Sequence, residues 1–335
     1  GEEQTMCRRR GCRLIAIAAA VLAVVLVLVV IRAVSPSGAC RRPAQGPPRP
    51  GTSVRSIVSG GLARCYRLYV PPGYDPSRPV PLVFSFHGLA ERPEIQQRIS
   101  GWDEIAAREG FVVVYPQGTG TPLRWNATAM FDAEAVDDVL FFRDMVAELS
   151  GLLSIDPQRI YVNGLSNGGA MTYRLACDTA DLVAAVGTVA APVSELPGGC
   201  TPSRPVPLVA FHGTADPVVD YEGRSRVAPR WATLIGLRPG HIEYQPAPVW
   251  TRNWAQRNGC NLDPAQLPAS GDASGLHYGQ CRAGADVIFY TIDGGGHTWP
   301  GGVPIPIVGK TSADMDASST MWAFFASHPH PALPE

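Results

Sequence analysis

The fold is decided by the stretch Tyr161-Val162-Asn163-Gly164-Leu165-Ser166-Asn167-Gly168-Gly169-Ala170. A short apolar run leads into the pattern G-x-S-x-G, and a segment suited to a helix follows it. The positions two before and two after a serine on so sharp a strand-to-helix turn must be nearly free of side chain, as Gly164 and Gly168 are. The pattern predicts that Ser166 is an exposed nucleophile, with a helix N-terminus that favours a developing oxyanion. An ordinary glycine-rich turn with an incidental serine is the other reading.

Apolar runs alternate with amphipathic segments on both sides of this stretch, which predicts a mostly parallel sheet with helices on both faces. We predict strands at 65–70, 81–86, 111–115, 159–163, 183–189, 206–211 and 287–292, and helices at 135–153, 168–177 and 312–326. In such sheets ligands collect at the carboxyl ends of the strands, so chemical groups at those ends are the candidates for function.

A serine nucleophile needs a histidine to take its proton and a carboxylate to fix the tautomer of that histidine. Where the serine lies on a turn of this type, the chain order is serine, acid, histidine. Asp216 follows the strand at 206–211 and His297 follows the strand at 287–292, so we predict that they are the acid and the base. Asp220 is the alternative acid after the same strand, and Asp293 is so near His297 that we expect it to cap the loop.

Two backbone amides must point at the oxyanion of the reaction. One is predicted to be the amide of Asn167, directly after the nucleophile, and the other that of Leu89, in the loop after the strand at 81–86. An ordinary tight turn at His87-Gly88 is the alternative. His87 and His212 each precede a glycine directly after a strand, and we expect both to pack or hydrogen-bond at the sheet edge.

The composition favours a well-packed enzyme, since 45% of the 335 residues are hydrophobic and 17% are charged. A formal net charge of −1 gives no basic surface for nucleic acid, so DNA and RNA are excluded as partners. No cysteine or histidine spacing indicates a metal site.

The N-terminal part predicts export. A short basic segment, residues 1–13, precedes an apolar segment, residues 14–34, whose unbroken apolar run is long enough to span a bilayer. The arginines before it predict a cytoplasmic N-terminus. The length favours an uncleaved membrane anchor over a cleaved signal peptide, although cleavage near Cys40 would release the protein. A Pro/Arg/Gly-rich linker at 35–52, a catalytic domain at 53–328 and a C-terminal tail at 329–335 complete the predicted organisation.

An exported chain with eight cysteines favours disulfide bonds. We predict the local pairs Cys177–Cys200 and Cys260–Cys281, and we expect Cys7 and Cys12 to stay reduced on the cytoplasmic side. Cys65 is interpreted as a buried free thiol in preference to a partner of Cys40.

Several short motifs together carry a family resemblance. They are Phe86-His87-Gly88, Trp125-Asn126-Ala127, Val136-Asp137-Asp138-Val139, Ile155-Asp156-Pro157, Gly164-Leu165-Ser166-Asn167-Gly168-Gly169, Phe211-His212-Gly213-Thr214-Ala215-Asp216, Asn258-Gly259-Cys260 and Gly295-Gly296-His297-Thr298-Trp299-Pro300-Gly301. With them the chain resembles the poly(3-hydroxybutyrate) depolymerase and feruloyl esterase group of α/β-hydrolases, related to carbohydrate esterase family one. The resemblance implies an α/β-hydrolase fold, an ester substrate, no cofactor, and Ser166, Asp216 and His297 as nucleophile, acid and base.

The predicted function is therefore that of an extracytoplasmic serine esterase, either anchored to the membrane or secreted, on an ester that could be polymeric. The loop after Trp125-Asn126-Ala127 departs from the group at Thr128–Asp132, so the substrate preference is not carried over. Trp125, Trp299 and His87 are candidate substrate-binding residues, with structural packing as the alternative for the two tryptophans. A serine peptidase or an acyltransferase on the same triad, and a non-catalytic surface binding protein, are the competing functions. The oligomeric state is left open.

Overall fold

A computed structural model describes residues 43–128, 136–194, 196, 198–224, 226–227, 241–242 and 244–331. Within them lie twelve strands: β1 (Gly51–Ser59), β2 (Leu62–Val70), β3 (Val80–Phe86), β4 (Val112–Pro116), β5 (Ile155–Leu165), β6 (Ala185–Val189), β7 (Leu208–Gly213), β8 (Arg226–Val227), β9 (His241–Ile242), β10 (Ala265–Ser270), β11 (Ala273–Tyr278) and β12 (Val287–Ile292). Six α-helices lie in the same residues: α1 (Pro93–Ser100), α2 (Trp102–Glu109), α3 (Asp138–Leu152), α4 (Asn167–Asp178), α5 (Ala247–Arg257) and α6 (Ala317–Ala326).

Ten of these strands form one sheet in the order β1-β2-β4-β3-β5-β6-β7-β12-β11-β10. The six strands from β4 to β12 in this order are parallel, and an antiparallel hairpin extends the sheet at each edge. Because β5, β7 and β12 are parallel, the segments that follow them leave the sheet at one edge. Ser166, Asp216 and His297 all lie in those segments.

Helices cover both faces of the sheet. Side chains of α3, α4 and α5 pack on one face, and side chains of α1, α2 and α6 pack on the other. Strand β3 shows why both faces are apolar, since Leu82, Phe84 and Phe86 belong to one core while Val83 belongs to the other. The predicted α/β fold, with a mostly parallel sheet and helices on both faces, is confirmed.

The sequence predicts β2 of the edge hairpins, at 65–70, but it does not predict β1, β10 or β11, nor the helices α1, α2 and α5. Strand β1 pairs with β2 across the turn at Gly60-Gly61, so the first strand takes in the last two residues of the predicted linker. Helix α1 starts at Pro93, and Gly101 and Gly110 end α1 and α2 in the left-handed conformation. These short helices have few apolar positions of their own, and burial against the sheet stabilises them.

Two disulfide bonds, Cys177–Cys200 and Cys260–Cys281, form as predicted. Cys65 is also disulfide-bonded, to a partner outside the described residues. The interpretation of Cys65 as a free thiol was therefore wrong. A cysteine in a buried strand can still reach a partner that follows no local spacing, which a sequence pattern does not reveal.

The predicted membrane segment at 14–34 and the basic segment before it lie outside the described residues. None of the helices in the described part of the chain is both long and apolar enough to cross a membrane.

Candidate active site

Ser166 lies in strained backbone between β5 and α4. Its φ and ψ are 55° and −121°, a region that residues with a side chain seldom adopt. The Ser166 amide donates to Val189 O at 2.9 Å, which ties the turn to the end of the neighbouring strand β6. The serine is therefore presented at the carboxyl edge of the sheet, directly before the N-terminus of a helix.

The two glycines of the motif are required by close contacts. A Cβ at Gly164 would lie 2.4 Å from Gly168 O, and a Cβ at Gly168 would lie 2.2 Å from Phe86 O. Both distances are far below a van der Waals contact, so neither position accepts a side chain. The helix therefore approaches β3 and β5 closely enough to hold the serine at the edge between them.

Asp216 and His297 contact each other across the carboxyl ends of β7 and β12. The distance from His297 Nδ1 to Asp216 Oδ2 is 2.8 Å, and both side chains are buried. The other carboxylate oxygen, Oδ1, accepts from the amides of Val218 and Val219 at 2.8 Å each. Because a carboxylate only accepts, His297 carries its proton on Nδ1 and leaves Nε2 free to take one.

The alternative acids do not contact His297 in the structure. Asp220 Oδ1 accepts from Glu222 N at 2.9 Å, and Asp293 Oδ1 accepts from Thr214 Oγ1 at 3.2 Å. The second contact fastens the loop that carries His297, as expected of a capping residue.

The histidine loop, residues 293–301, is supported from outside by a segment that we call the strap, residues 303–312. Gly296 N donates to Lys310 O, and His297 N donates to Val308 O, each at 2.8 Å. Thr298 Oγ1 donates to Lys310 O at 3.0 Å. The strap is fixed in turn by an ion pair of 2.8 Å between Lys310 Nζ and Asp272 Oδ2.

The oxyanion loop, residues 87–91, lies beside Ser166. A Cβ at Gly88 would lie 3.6 Å from the Cβ of Ser166. Among the described residues, the backbone amides of Leu89 and Asn167 donate to no protein acceptor. Both amides thus have the free donor that the predicted oxyanion hole requires.

A buried network joins this loop to the turn at Ser166. The side chain of Asn167 pairs with the backbone of Trp125, accepting from its N at 2.7 Å and donating to its O at 3.2 Å. The indole of Trp125 donates to His87 O at 2.9 Å. Asp138 accepts from Asn126 N at 2.7 Å. This contact holds the segment at Trp125 and Asn126, which connects the oxyanion loop to Asn167.

Trp125, Trp299 and His87 are the candidate substrate-binding residues, with packing as the alternative for the two tryptophans, and the structure buries all three. Trp125 and His87 are fully buried, and Trp299 is 2% exposed. Trp299 Nε1 donates to Ser318 Oγ at 3.0 Å on α6, and the Trp125 ring packs 4.9 Å from the ring of His87. Aromatic residues near a catalytic motif give no signal of which way their rings face, so only the packed structure distinguishes lining from core.

The two buried histidines are neutral supports of the site. Burial lowers the pKa of His87 to about 4, and burial also lowers the pKa of His212. His87 Nε2 accepts from Gly118 N at 3.0 Å, which leaves Nδ1 to donate to Gly88 O at 2.7 Å. His212 Nε2 donates to Val219 O at 2.9 Å, beside the carboxylate of Asp216. Both act at the sheet edge by hydrogen bonding, as the sequence predicts.

One further titratable group, which was not predicted from the sequence, lies in the site. Glu91 Oε2 accepts from Gly88 N at 2.6 Å. Burial raises the pKa of Glu91 to about 7, while the Gly88 amide and the charge of His297 lower it. The carboxyl therefore lies within electrostatic range of His297, and it binds the glycine that lies beside Ser166. No motif identifies Glu91, because only the folded turn brings it there.

Comparison with known proteins identifies the family. The model of the family described as "Esterase PHB depolymerase" matches residues 64–196. "Putative esterase NocK" of Nocardia uniformis subsp. tsuyamanensis is 32% identical over 286 residues, covering 80% of this chain and 81% of that protein. The chain belongs to the PHB depolymerase family of esterases.

Two further comparisons extend the result. Feruloyl esterase B of Piromyces equi is 31% identical over 233 residues, which cover 68% of this chain but 41% of that longer protein. The solved structure of an acetyl xylan esterase from Aspergillus awamori has a TM-score of 0.57 at 15% identity, covering 82% of this chain and 99% of that one. The second likeness shows the fold alone. This member of the PHB depolymerase family is a carboxylic ester hydrolase with an α/β-hydrolase fold.

Proposed function

We propose that the protein is an extracytoplasmic serine esterase whose nucleophile, base and acid are Ser166, His297 and Asp216. The contact of 2.8 Å between His297 Nδ1 and Asp216 Oδ2, at the same edge of the sheet as the strained Ser166, carries the proposal. It fixes the tautomer in which His297 Nε2 can accept a proton, which a serine nucleophile requires.

The reaction proceeds through an acyl-enzyme. Ser166 Oγ attacks the ester carbonyl while His297 Nε2 takes its proton, and the amides of Leu89 and Asn167 donate to the resulting oxyanion. The C–O bond to the alcohol then breaks, and the alcohol leaves with the proton from His297. Water, deprotonated by His297, attacks the acyl-enzyme. The bond between the acyl carbon and Ser166 Oγ then breaks, the acid is released, and His297 returns the proton to the serine.

The Ser166 hydroxyl forms no hydrogen bond of 3.5 Å or less with a described residue. Contacts between a nucleophile and its base are often long before substrate binds, so the proposal requires this contact to tighten in the complex.

The experiment that tests the mechanism is hydrolysis of p-nitrophenyl acetate and butyrate by the wild type, Ser166→Ala and Asp216→Asn. We expect Ser166→Ala to lose several powers of ten in kcat, and Asp216→Asn to lose about 10⁴-fold because the amide favours the wrong tautomer of His297. Asp220→Asn is the matched control and should retain the wild-type rate. Retained hydrolysis by Ser166→Ala would exclude the proposed nucleophile.

The substrate class follows from the relatives only as a proposal. We propose acyl or hydroxycinnamoyl esters of polysaccharides, in line with the feruloyl and acetyl xylan esterases among the similar proteins, and polyhydroxyalkanoates as the polymeric alternative. Rates on methyl ferulate, acetylated xylan and poly(3-hydroxybutyrate) would separate these classes. Activity on none of them, together with rapid hydrolysis of p-nitrophenyl butyrate, would assign the enzyme to small soluble esters.

The extracytoplasmic location is part of the proposal. Two local disulfides and the bonded Cys65 indicate an oxidising compartment. The apolar segment at 14–34 would then act as the anchor or signal. Fractionation of cells into cytoplasm, membrane and medium, followed by immunoblotting, tests the location.

A further inference from the structure

The oxyanion loop leaves a single amide available. Gly88 N donates to Glu91 Oε2 at 2.6 Å, and Ala90 N donates to Leu123 O at 2.8 Å. Glu91 N donates to Gly88 O at 3.2 Å. Within residues 88–91, the Leu89 amide alone has no acceptor among the described residues. The other three amides of this turn therefore all donate hydrogen bonds that hold the turn in its conformation.

The direction of the Leu89 amide is set by the carbonyl of the same peptide unit. Gly88 O accepts from His87 Nδ1 at 2.7 Å as well as from Glu91 N. In a trans peptide the C=O and N–H bonds point in opposite directions, so the Leu89 N–H points away from those two donors. Whatever fixes the Gly88–Leu89 peptide therefore fixes one half of the oxyanion hole.

Glu91 holds Gly88 on both sides. Its backbone N–H donates to the Gly88 carbonyl, and its carboxylate accepts from the Gly88 amide. We propose that Glu91 is a positioning residue for ester hydrolysis: its side-chain oxygen, by accepting from Gly88 N–H, orients the Leu89 amide toward the oxyanion that forms at Ser166. This inference rests on the proposed serine esterase mechanism.

The positioning role requires a side chain long enough to reach Gly88 N–H, and it does not require a charge on that side chain. Burial raises the pKa of Glu91 to about 7, so the carboxyl is partly protonated near neutral pH. A carboxyl or amide oxygen accepts from Gly88 N–H in either state, provided that the side chain is long enough. The alternative is that the negative charge of Glu91 acts on the nearby His297, which becomes positively charged when it takes the proton of Ser166.

Three variants separate the two roles. Glu91→Gln keeps the reach and removes the charge, Glu91→Asp keeps the charge and shortens the reach by one methylene, and Glu91→Ala removes both. Glu104→Gln, on the exposed side of α2, is the matched control. Active sites are titrated with a fluorophosphonate, so that kcat refers to folded and competent protein in each case.

We expect Glu91→Gln to keep kcat on p-nitrophenyl acetate within about threefold of the wild type. Glu91→Asp and Glu91→Ala should lose about 10- to 100-fold, a part of the 10²–10³-fold that one oxyanion donor contributes. The KM should change by less than about threefold, because the ground-state carbonyl depends little on this donor. The inhibition constant for phenylboronic acid, whose serine adduct is tetrahedral, should rise in parallel with the loss of kcat.

The results that overturn the inference are distinct from a failure of the mechanism. If Glu91→Asp is as active as Glu91→Gln or more so, charge is the operative property and the positioning role is wrong. Wild-type kcat in Glu91→Ala, or a loss of kcat with no change in boronic acid binding, also overturns it. Should Glu91→Ala fail to fold, the comparison of the aspartate and glutamine variants still decides. A wild-type enzyme without esterase activity, or an active Ser166→Ala, would instead refute the proposed function.

Discussion

The two halves of the candidate site are held by different means. The elbow, residues 164–169, is enclosed by buried backbone, with Gly168 packed against the carbonyl of Phe86 in the central strand β3. The histidine loop is held from outside by the strap, in which Ile307 is 89% exposed. The same chemistry thus depends on one rigid support and one support at the surface.

This difference has a consequence for mutations. Strand β3 cannot move without disturbing both cores of the sheet, so a change at the elbow affects folding first. The strap contacts solvent on one side, so it can shift at low cost and carry His297 with it. We therefore expect changes in the strap to lower activity before they lower stability.

The largest effect is expected when an alanine is introduced into each half. In Gly168→Ala the new Cβ would meet Phe86 O at 2.2 Å, and in Gly296→Ala it would meet Val308 O at 2.4 Å. The two clashes are similar, but the first oxygen belongs to a buried strand and the second to the strap. We expect Gly168→Ala to yield no soluble folded protein, and Gly296→Ala to fold with near wild-type Tm and a kcat at least tenfold lower.

Circular dichroism, thermal unfolding and kcat on p-nitrophenyl acetate check this pair. Gly73→Ala, where an added Cβ has no atom within 4 Å and the backbone has no positive φ, controls for the addition of a methyl group to a glycine without a clash. Equal loss of folding in Gly168→Ala and Gly296→Ala would contradict the comparison.

The next effect concerns the buried ion pair on the elbow side. Arg64 Nη2 lies 2.7 Å from Asp138 Oδ1, and both side chains are almost fully buried. Asp138→Ala would leave the guanidinium without its partner, at a cost of about 3–5 kcal/mol in the free energy of unfolding. Urea unfolding measures the loss. Asp181→Ala, which breaks the exposed pair with Arg143, should cost less than about 1 kcal/mol and is the matched control.

If Asp138→Ala were no more destabilising than Asp181→Ala, the elbow side would not be more rigidly supported than the surface. The kcat of the surviving folded Asp138→Ala protein adds a second readout, because Asp138 also holds Asn126, next to the residue paired with Asn167.

The sequence predicted the parts of the site that follow from chain order and strand ends. Ser166, Asp216 and His297 each follow a strand of one parallel sheet, and such ends lie together whatever fills the core. The sequence left open whether Trp125 and Trp299 line a groove or pack in the core, because burial depends on residues far away in the chain, such as Ser318 on α6 for Trp299. The pairing of Cys65 was missed for the same reason, since no local spacing fixes it. Glu91 depends on the shape of a five-residue turn, for which the sequence offers no motif.

The pH dependence of stability tests the unusual environment of Glu91. A carboxyl whose pKa is raised from 4.5 to about 7 in the folded state binds its proton more tightly when folded. The contribution of Glu91 to the free energy of unfolding therefore falls as the pH rises from about 4.5 to 7, and the loss is complete above that range. Glu91→Gln does not ionise, so its stability relative to the wild type should rise by about 2 kcal/mol across the same interval.

Urea unfolding at pH 4.5, 6 and 8 gives this difference, with Glu104→Gln as the control that should show no such trend. A constant difference between Glu91→Gln and the wild type would mean that Glu91 is solvated like a surface carboxyl. The oxyanion loop would then be open to water. The elbow side of the site would in that case not be more buried than the side held by the strap.

The smallest effect on stability is expected at Lys310, the only lysine in the chain. Its pair with Asp272 is exposed on the lysine side, so its removal should leave the free energy of unfolding almost unchanged. The backbone carbonyl of Lys310 accepts from Gly296 N, however, so loss of the pair loosens the strap beneath His297. We expect Lys310→Ala to lower kcat about two- to fivefold and Lys310→Arg to keep the wild-type kcat. In 1 M NaCl the Debye length is about 3 Å, so the ion pair is screened and the kcat of the wild type should fall toward that of Lys310→Ala. Acetylation of the protein modifies no other side-chain amine. It should lower the kcat of the wild type to that of Lys310→Ala and leave the kcat of Lys310→Ala unchanged. A loss of stability without a loss of kcat would reverse the expectation, and would show that the strap supports the fold and not the position of the catalytic histidine.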